Sequence, residues 1–314
     1  MAVISKKGIF FTFAAIALSI VIIFSFNSYT KHELKNEVDN AETRISSMNI
    51  MINNLENDMD NAIFIAGFRS LLSLEDYMMS SNPPKFLNQL GTNLNDAFEE
   101  VFKQGTINSQ KMALMENNSF ANWTNNMKLQ ANKTGIELNF NVNSVTITQS
   151  EPWMVDISVD LDIDVNDSKN TASWTINKVF TEKLNITGFV DPLYLVNTQG
   201  KVNNSIRRTI VPGFNNENDL DTHLLNSYYI EHSDAPSYLM RFDNNPGSSS
   251  NGIESLVNSQ ELIDAGLSAN ARSAVDFIYF GTQTTQDCIV DKPNHSWFYL
   301  DSNHLNFYNA KCKQ

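Results

Sequence analysis

Histidine side chains are the groups in this sequence best suited to bind a metal or to transfer a proton. The five are His32, His223, His232, His295 and His304. None has a second histidine four residues later, and the sequence holds no C-x-x-C or H-E-x-x-H pair. Because metal-ligand spacing is absent, we expect surface histidines, no metal site and no other cofactor.

The acidic run Asp160-Leu161-Asp162-Ile163-Asp164 is a second candidate for metal chemistry. An EF-hand loop requires glycine at its sixth place and glutamate at its twelfth, where this sequence has Val165 and Thr171. The carboxylates alternate with apolar residues, as they do on the wet face of a β-strand. The run therefore predicts a strand, not a calcium site.

Motifs for covalent catalysis are not found. The sequence has no G-x-S-x-G elbow and no glycine-rich phosphate loop. We therefore identify no catalytic residue and do not expect an enzyme.

Cys288 and Cys312 are the two cysteines of the chain. An even pair in an exported domain favours a disulfide. Closing the 25-residue loop would stabilise the fold by roughly 3.5 kcal/mol. The bond would fasten the C-terminal tail to the body of the protein.

Asparagine is abundant, with 42 residues in the chain. Sequons of the form Asn-x-Ser/Thr occur at Asn117, Asn122, Asn132, Asn166, Asn185, Asn203 and Asn294. This frequency of asparagine alone accounts for most of them. We expect some, but not all, to be glycosylated.

The charge balance is acidic, with 35 acidic and 22 basic residues among 314 and a net charge of −13. Nucleic acids and anionic membrane surfaces select clustered lysine and arginine. Arg207-Arg208 is the largest such group beyond the N-terminal region. We therefore expect no nucleic-acid partner.

The N-terminal region combines Lys6-Lys7-Gly8 with an apolar run from Ile9 to Phe26. Eighteen uncharged residues make roughly 27 Å of helix, close to the thickness of a bilayer core. The run predicts a transmembrane helix over 9–26, with 1–8 cytoplasmic and 27–314 outside, because the lysines precede it. Residues 24–28 make a poor cleavage site, which disfavours a secreted chain.

The same segment carries a family resemblance. Lys6-Lys7-Gly8 before Ile9-Phe10-Phe11-Thr12-Phe13 resembles the class III signal of archaeal type IV pilins and pilin-like proteins. The resemblance implies that a prepilin peptidase cuts between Gly8 and Ile9, and that the new N-terminal helix packs in a filament core. Bacterial pilins have glutamate where this sequence has Phe13. A permanent anchor and a processed prepilin both remain open.

Beyond Tyr29, apolar residues recur at alternating spacings of four and three. They are Leu34, Val38, Ala41, Ile45, Met48, Ile52, Leu55, Met59, Ala62 and Ala66. This heptad pattern predicts a coiled-coil-like stalk helix over 27–80, about 105 Å long when joined to the preceding span. We expect its outer half to pack on the chain's own helices. The inner half, with Leu34, Val38, Ile45, Met48, Ile52 and Leu55, is the predicted seam for a homo-oligomer.

The remainder is predicted to be α+β. Residues 81–134 contain two amphipathic segments that predict a helical collar. Residues 135–314 begin with period-two alternation that predicts an antiparallel β-meander, followed by peripheral helices around a β-rich head. Within the head we expect a helix over 252–267, a strand over 274–280, and a last short helix capped by Asp301 or Ser302.

Three short sequence segments in the head show a weaker family resemblance. Residues 186–194, 235–241 and 251–257 look like phrases of uncharacterised archaeal single-pass membrane-anchored surface proteins. The resemblance implies archaeal origin and surface placement, and it brings no activity or ligand.

Together these observations predict an extracellular structural or adhesive surface protein held at the lipid bilayer, or a pilin-like filament subunit. A stalked domain that binds a sugar or a protein is the alternative. An enzyme ranks third.

Overall fold

The computed structural model describes residues 6–291 and 295–313. Side chains are not described for residues 6–40, apart from Ser19 and Val21, nor for Glu217. The side chains at the predicted cleavage position, Gly8 and Ile9, and those of the seam residues Leu34 and Val38 are therefore not described, and the sequon at Asn294 lies outside the described residues.

The longest element is a single helix, α1, spanning the 74 residues Lys6–Met79. Its sequence contains no proline, and glycine occurs only at Gly8 and Gly67. The helix ends before Ser80-Ser81-Asn82-Pro83, as expected because proline cannot continue the hydrogen-bond ladder. The predicted long helix is present.

The membrane-spanning part of the predicted fold requires correction. Within the described part of the chain, no helix combines the length and apolarity needed to cross a membrane. The described side chains of α1 from residue 41 onward include eight ionisable acids and bases, namely Glu42, Arg44, Glu56, Asp58, Asp60, Arg69, Glu75 and Asp76. Such residues are too costly for a bilayer core, and this part of α1, which was predicted to be the stalk, packs against protein.

The intrachain packing predicted for the outer half of the stalk is confirmed, and it extends into the inner seam that was predicted for a homo-oligomer. Met48, Leu55, Met59, Ile63 and Ala66 are buried within the chain, and α1 packs on the sheet and on the collar helices. The seam residues Met48 and Leu55 therefore have intrachain partners. Ile52 is half-buried, and Ile45 stays 38% exposed.

A three-stranded antiparallel meander covers α1. Its strands are β3 (Ile136–Glu151), β4 (Met154–Asp167) and β5 (Ser173–Asn185), in the order β3-β4-β5. Apolar residues of β4 alternate inward while Asp160, Asp162 and Asp164 lie on the other face, so the strand prediction is confirmed. Arg44 of α1 pairs with the buried Asp167 at the end of β4 and fixes the helix to the sheet.

The collar region packs on α1 and on β3 of the sheet. It contains the helices α2 (Leu94–Gln104) and α3 (Phe120–Lys133), the short strands β1 (Thr106–Ile107) and β2 (Gln110–Lys111), and 3₁₀ turns at Leu87–Leu90 and Ala113–Met115. In its core, Phe98 packs against Phe102, and Phe102 stacks on Phe120.

The C-terminal region is built from short elements. The helices are α4 (Pro192–Asn197), α5 (Glu217–Leu225), α6 (Tyr238–Arg241), α7 (Ser259–Asp264), α8 (Asp276–Tyr279) and α9 (Ser302–Phe307). Two antiparallel ribbons join β6 (Tyr229–Glu231) to β7 (Ile253–Ser255) and β8 (Asp287–Ile289) to β9 (Tyr299–Asp301).

Two predictions in this region are wrong and two are confirmed. The expected helix over 252–267 is instead β7 followed by α7, because β6 pairs with residues 253–255. The expected strand over 274–280 is the short helix α8. Asp301 caps α9 as predicted, and Cys288 and Cys312 form the predicted disulfide.

Candidate metal centre

Three ionisable side chains from separate segments converge in the C-terminal region. They are His232, Glu254 and His304, and one donor atom from each lies within 4.8 Å of the other two. Glu254 is fully buried and His304 is 4% exposed, while the His232 side chain keeps 16% exposure. These three residues are called the histidine cluster below.

The β6–β7 ribbon positions the first two members. His232 directly follows β6, and its backbone N–H donates to the carbonyl of Gly252 at 3.0 Å. Glu254 lies two residues beyond Gly252 on the paired strand. Since alternate residues of a strand point to one face, Glu254 is the diagonal neighbour of His232 on the same face. An added Cβ at Gly252 would collide with the carbonyl oxygens of His232 and Ala235, so this close approach requires glycine.

The β9–α9 corner positions the third member. Asp301 ends β9 and caps α9, where its Oδ1 accepts the backbone N–H groups of Asn303 and His304 at 3.1 and 3.3 Å. The same carboxylate lies 2.8–2.9 Å from Nδ1 of His304. Ser273 donates to Asp301 Oδ2 at 2.7 Å and holds the carboxylate in place. The proton on Nδ1 is therefore directed at Asp301, which leaves Nε2 of His304 to face the cluster.

Two of the three distances within the cluster match the separation between two ligands of one metal ion. His232 Nδ1 and His304 Nε2 lie 3.1 and 3.3 Å from Glu254 Oε2. Two ligands with bonds of about 2.1 Å at a tetrahedral angle are about 3.4 Å apart. None of these three buried atoms has a hydrogen-bond partner of acceptable geometry. Buried polar atoms usually have a hydrogen-bond partner, so three unpaired atoms that face one another indicate a ligand site.

Electrostatics make the metal-free cluster a network of ions. Burial acts to raise the pKa of Glu254, but the two imidazoles outweigh it and lower that pKa to about 2. Burial acts to lower the pKa of His304, but Asp301 and Glu254 outweigh it and raise the value to about 10. Glu254 also raises the pKa of His232. At neutral pH, a second ring proton on His304 therefore takes part of the place that a cation would occupy.

Aromatic side chains enclose the cluster. The Tyr308 hydroxyl donates to Glu254 Oε1 at 2.6 Å and so fixes the carboxylate oxygen that does not face the histidines. Phe307 meets the His232 ring edge-on at 4.3 Å between centroids. A cavity of about 590 Å³ lies beside Tyr308. Its described lining is Phe214, Asn215, Asn216, Asn218, Leu220, Tyr308 and Asn309.

A second cluster of buried charged side chains lies in the same region, and its charges are paired with one another by hydrogen bonds. Arg241 donates to Asp191 at 2.6 Å and to Asp276 at 2.8 Å, and all three side chains are fully buried. Tyr229 donates to Asp191 at 2.8 Å, and Ser255 donates to Asp276 at 2.9 Å. These residues are called the arginine cluster below, and it ties α4, α6, α8 and the β6–β7 ribbon together.

Several residues singled out by their type lie elsewhere. His223 is buried, with its Nδ1 3.1 Å from Thr209 Oγ1, and His295 stacks on Trp297 near Asp221. The expectation of surface histidines is therefore wrong for His223 and His304. Asp162 accepts hydrogen bonds from Asn143 and Asn177, which lower its pKa, and belongs to no site.

The sequon asparagines differ in exposure. Asn117, Asn132, Asn185 and Asn203 are exposed, whereas Asn122 and Asn166 are half-buried. Glycosylation at these residues stays a prediction.

Sequence reasoning missed the histidine cluster because its ligands share no local pattern. His232 and His304 stand 72 positions apart. One signal was present in Asp301-x-x-His304, since a capping aspartate can also hold the imidazole one turn later. Nothing in the sequence pointed from that pair to Glu254.

Comparison with known proteins gave no match to a protein-family model, a curated protein or a solved structure.

Proposed function

We propose that this protein binds one divalent transition-metal ion in its C-terminal region, through His232, Glu254 and His304. The observation that carries the proposal is the meeting of three buried donor atoms that lack hydrogen-bond partners. Asp301 and Tyr308 act as outer partners that orient His304 and Glu254.

The donor set selects the class of metal. Two imidazoles and one carboxylate suit Zn²⁺ and its neighbours in the first transition row, whereas Mg²⁺ and Ca²⁺ prefer all-oxygen ligands. Zn²⁺ is the member that we propose, because it accepts low coordination numbers in compact buried sites. The burial of Glu254 and His304 favours retention of the ion over turnover of a substrate.

Charge balance supports the same choice. Glu254 and Asp301 bring two negative charges into a buried site. A divalent ion neutralises both while the imidazoles stay neutral, and buried charges require such compensation. Two protonated histidines are the alternative, and their ring nitrogens make ion pairs with Glu254 that lack hydrogen-bond geometry.

Metal titration of chelator-treated protein tests the proposal. We expect one Co²⁺ or Zn²⁺ per chain, and a gain of about 2.7 kcal/mol in the free energy of unfolding at a free metal concentration of 100 Kd. Glu254→Gln should weaken binding at least about 100-fold, because it removes the charged ligand. His295→Gln is the matched control, since His295 is a partly exposed histidine outside the cluster.

The pH dependence has a defined sign. His304 holds its proton up to about pH 10 in the metal-free protein, so metal binding must displace it at neutral pH. Affinity should therefore rise by up to about tenfold per pH unit for each proton displaced. Absence of bound metal, or equal binding by the Glu254 variant and the His295 control, would refute the proposal.

The broader role predicted from the sequence stays a proposal alongside this one. A structural or adhesive function at the cell surface, or in a pilin-like filament, is supported by the length of α1, on which the sheet and the collar helices pack. Binding of a sugar or protein ligand is the alternative. Within either role, the metal would stabilise the C-terminal region.

A further inference from the structure

The disulfide lies next to the proposed metal centre. Cys288 is in β8, opposite Leu300 of β9, and Leu300 precedes Asp301. Cys312 pairs with Val290 through an isolated antiparallel β-bridge of the backbone. The Lys313 N–H donates to the Ile289 carbonyl at 2.8 Å. The bond thus fastens both ends of one loop, residues 288–312, to the β8–β9 ribbon.

This loop divides the centre into two halves. His304 and both outer partners, Asp301 and Tyr308, lie inside the disulfide loop. His232 and Glu254 lie outside it, on the β6–β7 ribbon. The metal site therefore forms only where residues 288–312 pack against the β6–β7 ribbon. The disulfide limits the number of conformations that this loop, which carries His304, can adopt.

We propose that the redox state of Cys288 and Cys312 sets the metal affinity of the centre. This inference rests on the proposed metal-binding function. A dithiol reductant would break the S–S bond by donating two electrons and two protons, giving two protein thiols while the dithiol closes to its own disulfide. The tail after Asn309 then loses its covalent tie, and ordering α9 around the metal costs more conformational entropy.

The coupling is reciprocal by thermodynamic necessity. If loss of the disulfide weakens metal binding tenfold, bound metal disfavours reduction of the disulfide by the same factor. For this two-electron couple, a tenfold change corresponds to about 30 mV in midpoint potential. The metal-loaded protein should therefore resist reduction more than the metal-free protein does.

Paired substitution is the first test, because it avoids reductants that themselves bind metals. The full chain carrying Cys288→Ser and Cys312→Ser should bind Co²⁺ at least about tenfold more weakly than the oxidised wild type, an effect typical of losing support for a metal ligand. The circular dichroism spectrum of the variant should match that of the wild type. A folded variant with wild-type affinity would overturn the inference.

A second measurement needs no variant and covers the case in which the substituted chain does not fold. The wild-type disulfide is equilibrated with dithiol buffers at graded potentials, with and without enough Zn²⁺ to keep the free ion saturating. Because dithiols bind Zn²⁺, the potential of each buffer is measured after the metal is added, and the protein thiols are counted after the buffer is removed. We expect the midpoint to be lower by about 30 mV or more with metal. Equal midpoints in a protein that binds metal would overturn the redox coupling alone. An oxidised wild type that binds no metal would overturn the proposed function and, with it, this inference.

Discussion

The arginine cluster and the histidine cluster are both buried in the C-terminal region, yet they differ in how fully their polar atoms are paired. Arg241 meets Asp191 and Asp276 at 2.6 and 2.8 Å, and tyrosine and serine hydroxyls complete both carboxylates. In the histidine cluster, the facing atoms of His232, Glu254 and His304 approach within 3.1–3.3 Å but lack hydrogen-bond geometry.

The difference separates a structural ion network from a binding site. A buried charge is tolerated when hydrogen bonds replace its lost water, and the arginine cluster supplies them from within the chain for both carboxylates and for both terminal nitrogens of Arg241, leaving only Arg241 Nε unpaired. The histidine cluster leaves its central atoms aimed at one point. A cation at that point would complete the cluster, and a metal ion fits it.

Among the variants considered, substitution of Arg241 should cause the largest change, a fall in the free energy of unfolding. Arg241→Met leaves Asp191 and Asp276 buried without a cation, so the free energy of unfolding should fall by about 4 kcal/mol. Chemical denaturation with Zn²⁺ and with chelator measures this, and the loss should be the same in both. Arg208→Met removes an exposed arginine, paired with Glu231, and should cost less than about 1 kcal/mol. Equal losses in the two variants would contradict a structural role for the arginine cluster.

Glu75 is a buried carboxyl group near the arginine cluster, and its titration tests whether the fold can hold a further negative charge there. It lies on α1, is buried, and accepts a hydrogen bond from Tyr238 at 3.3 Å. Burial, with added repulsion from Asp191, raises its pKa to about 8. The fold therefore favours protonated Glu75, so its stabilising contribution is complete below pH 4.5 and is lost as the pH rises through 8.

Glu75→Gln should remove this pH dependence. Above pH 8 the variant should be more stable than the wild type, by on the order of 3 kcal/mol. Below pH 4.5 the two should be similar. Denaturation at pH 4.5 and pH 9 measures the difference, with Glu99→Gln as the control on α2, where Glu99 is partly exposed and pairs with Lys103. A constant difference across this range would show that Glu75 does not carry the effect.

Substitution of Asp301 should cause the smallest change, a modest loss of metal affinity, because Asp301 acts on the metal only through His304. Asp301→Asn should weaken metal binding about 10-fold, which corresponds to about 1.4 kcal/mol. It should also make binding less dependent on pH near neutrality, because Asp301 raises the pKa of His304. Co²⁺ titrations at several pH values measure both changes. Asp287→Asn is the control, since Asp287 lies opposite Asp301 on β8; the same pH profile in both variants would leave Asp301 with a structural role only.

The sequence by itself determined the features that depend on local periodicity. The proline-free heptad pattern gave the long helix that ends at Met79, and alternating residues gave the β3-β4-β5 meander. The two cysteines could only pair with each other within one chain, and Asp301 had the residue type of a helix cap. Each of these follows from neighbours in the chain or from a unique pair.

Tertiary structure decided which surfaces and side chains meet. The inner seam of α1 was predicted to bind another copy, and only its packing on the sheet and collar assigned Met48 and Leu55 to the chain's own core. Glu254 fell in a pattern typical of a helix, until pairing with β6 drew it into a strand beside His232. The histidine cluster joins three segments, and contacts across such separations depend on how the elements pack, which local sequence patterns do not encode.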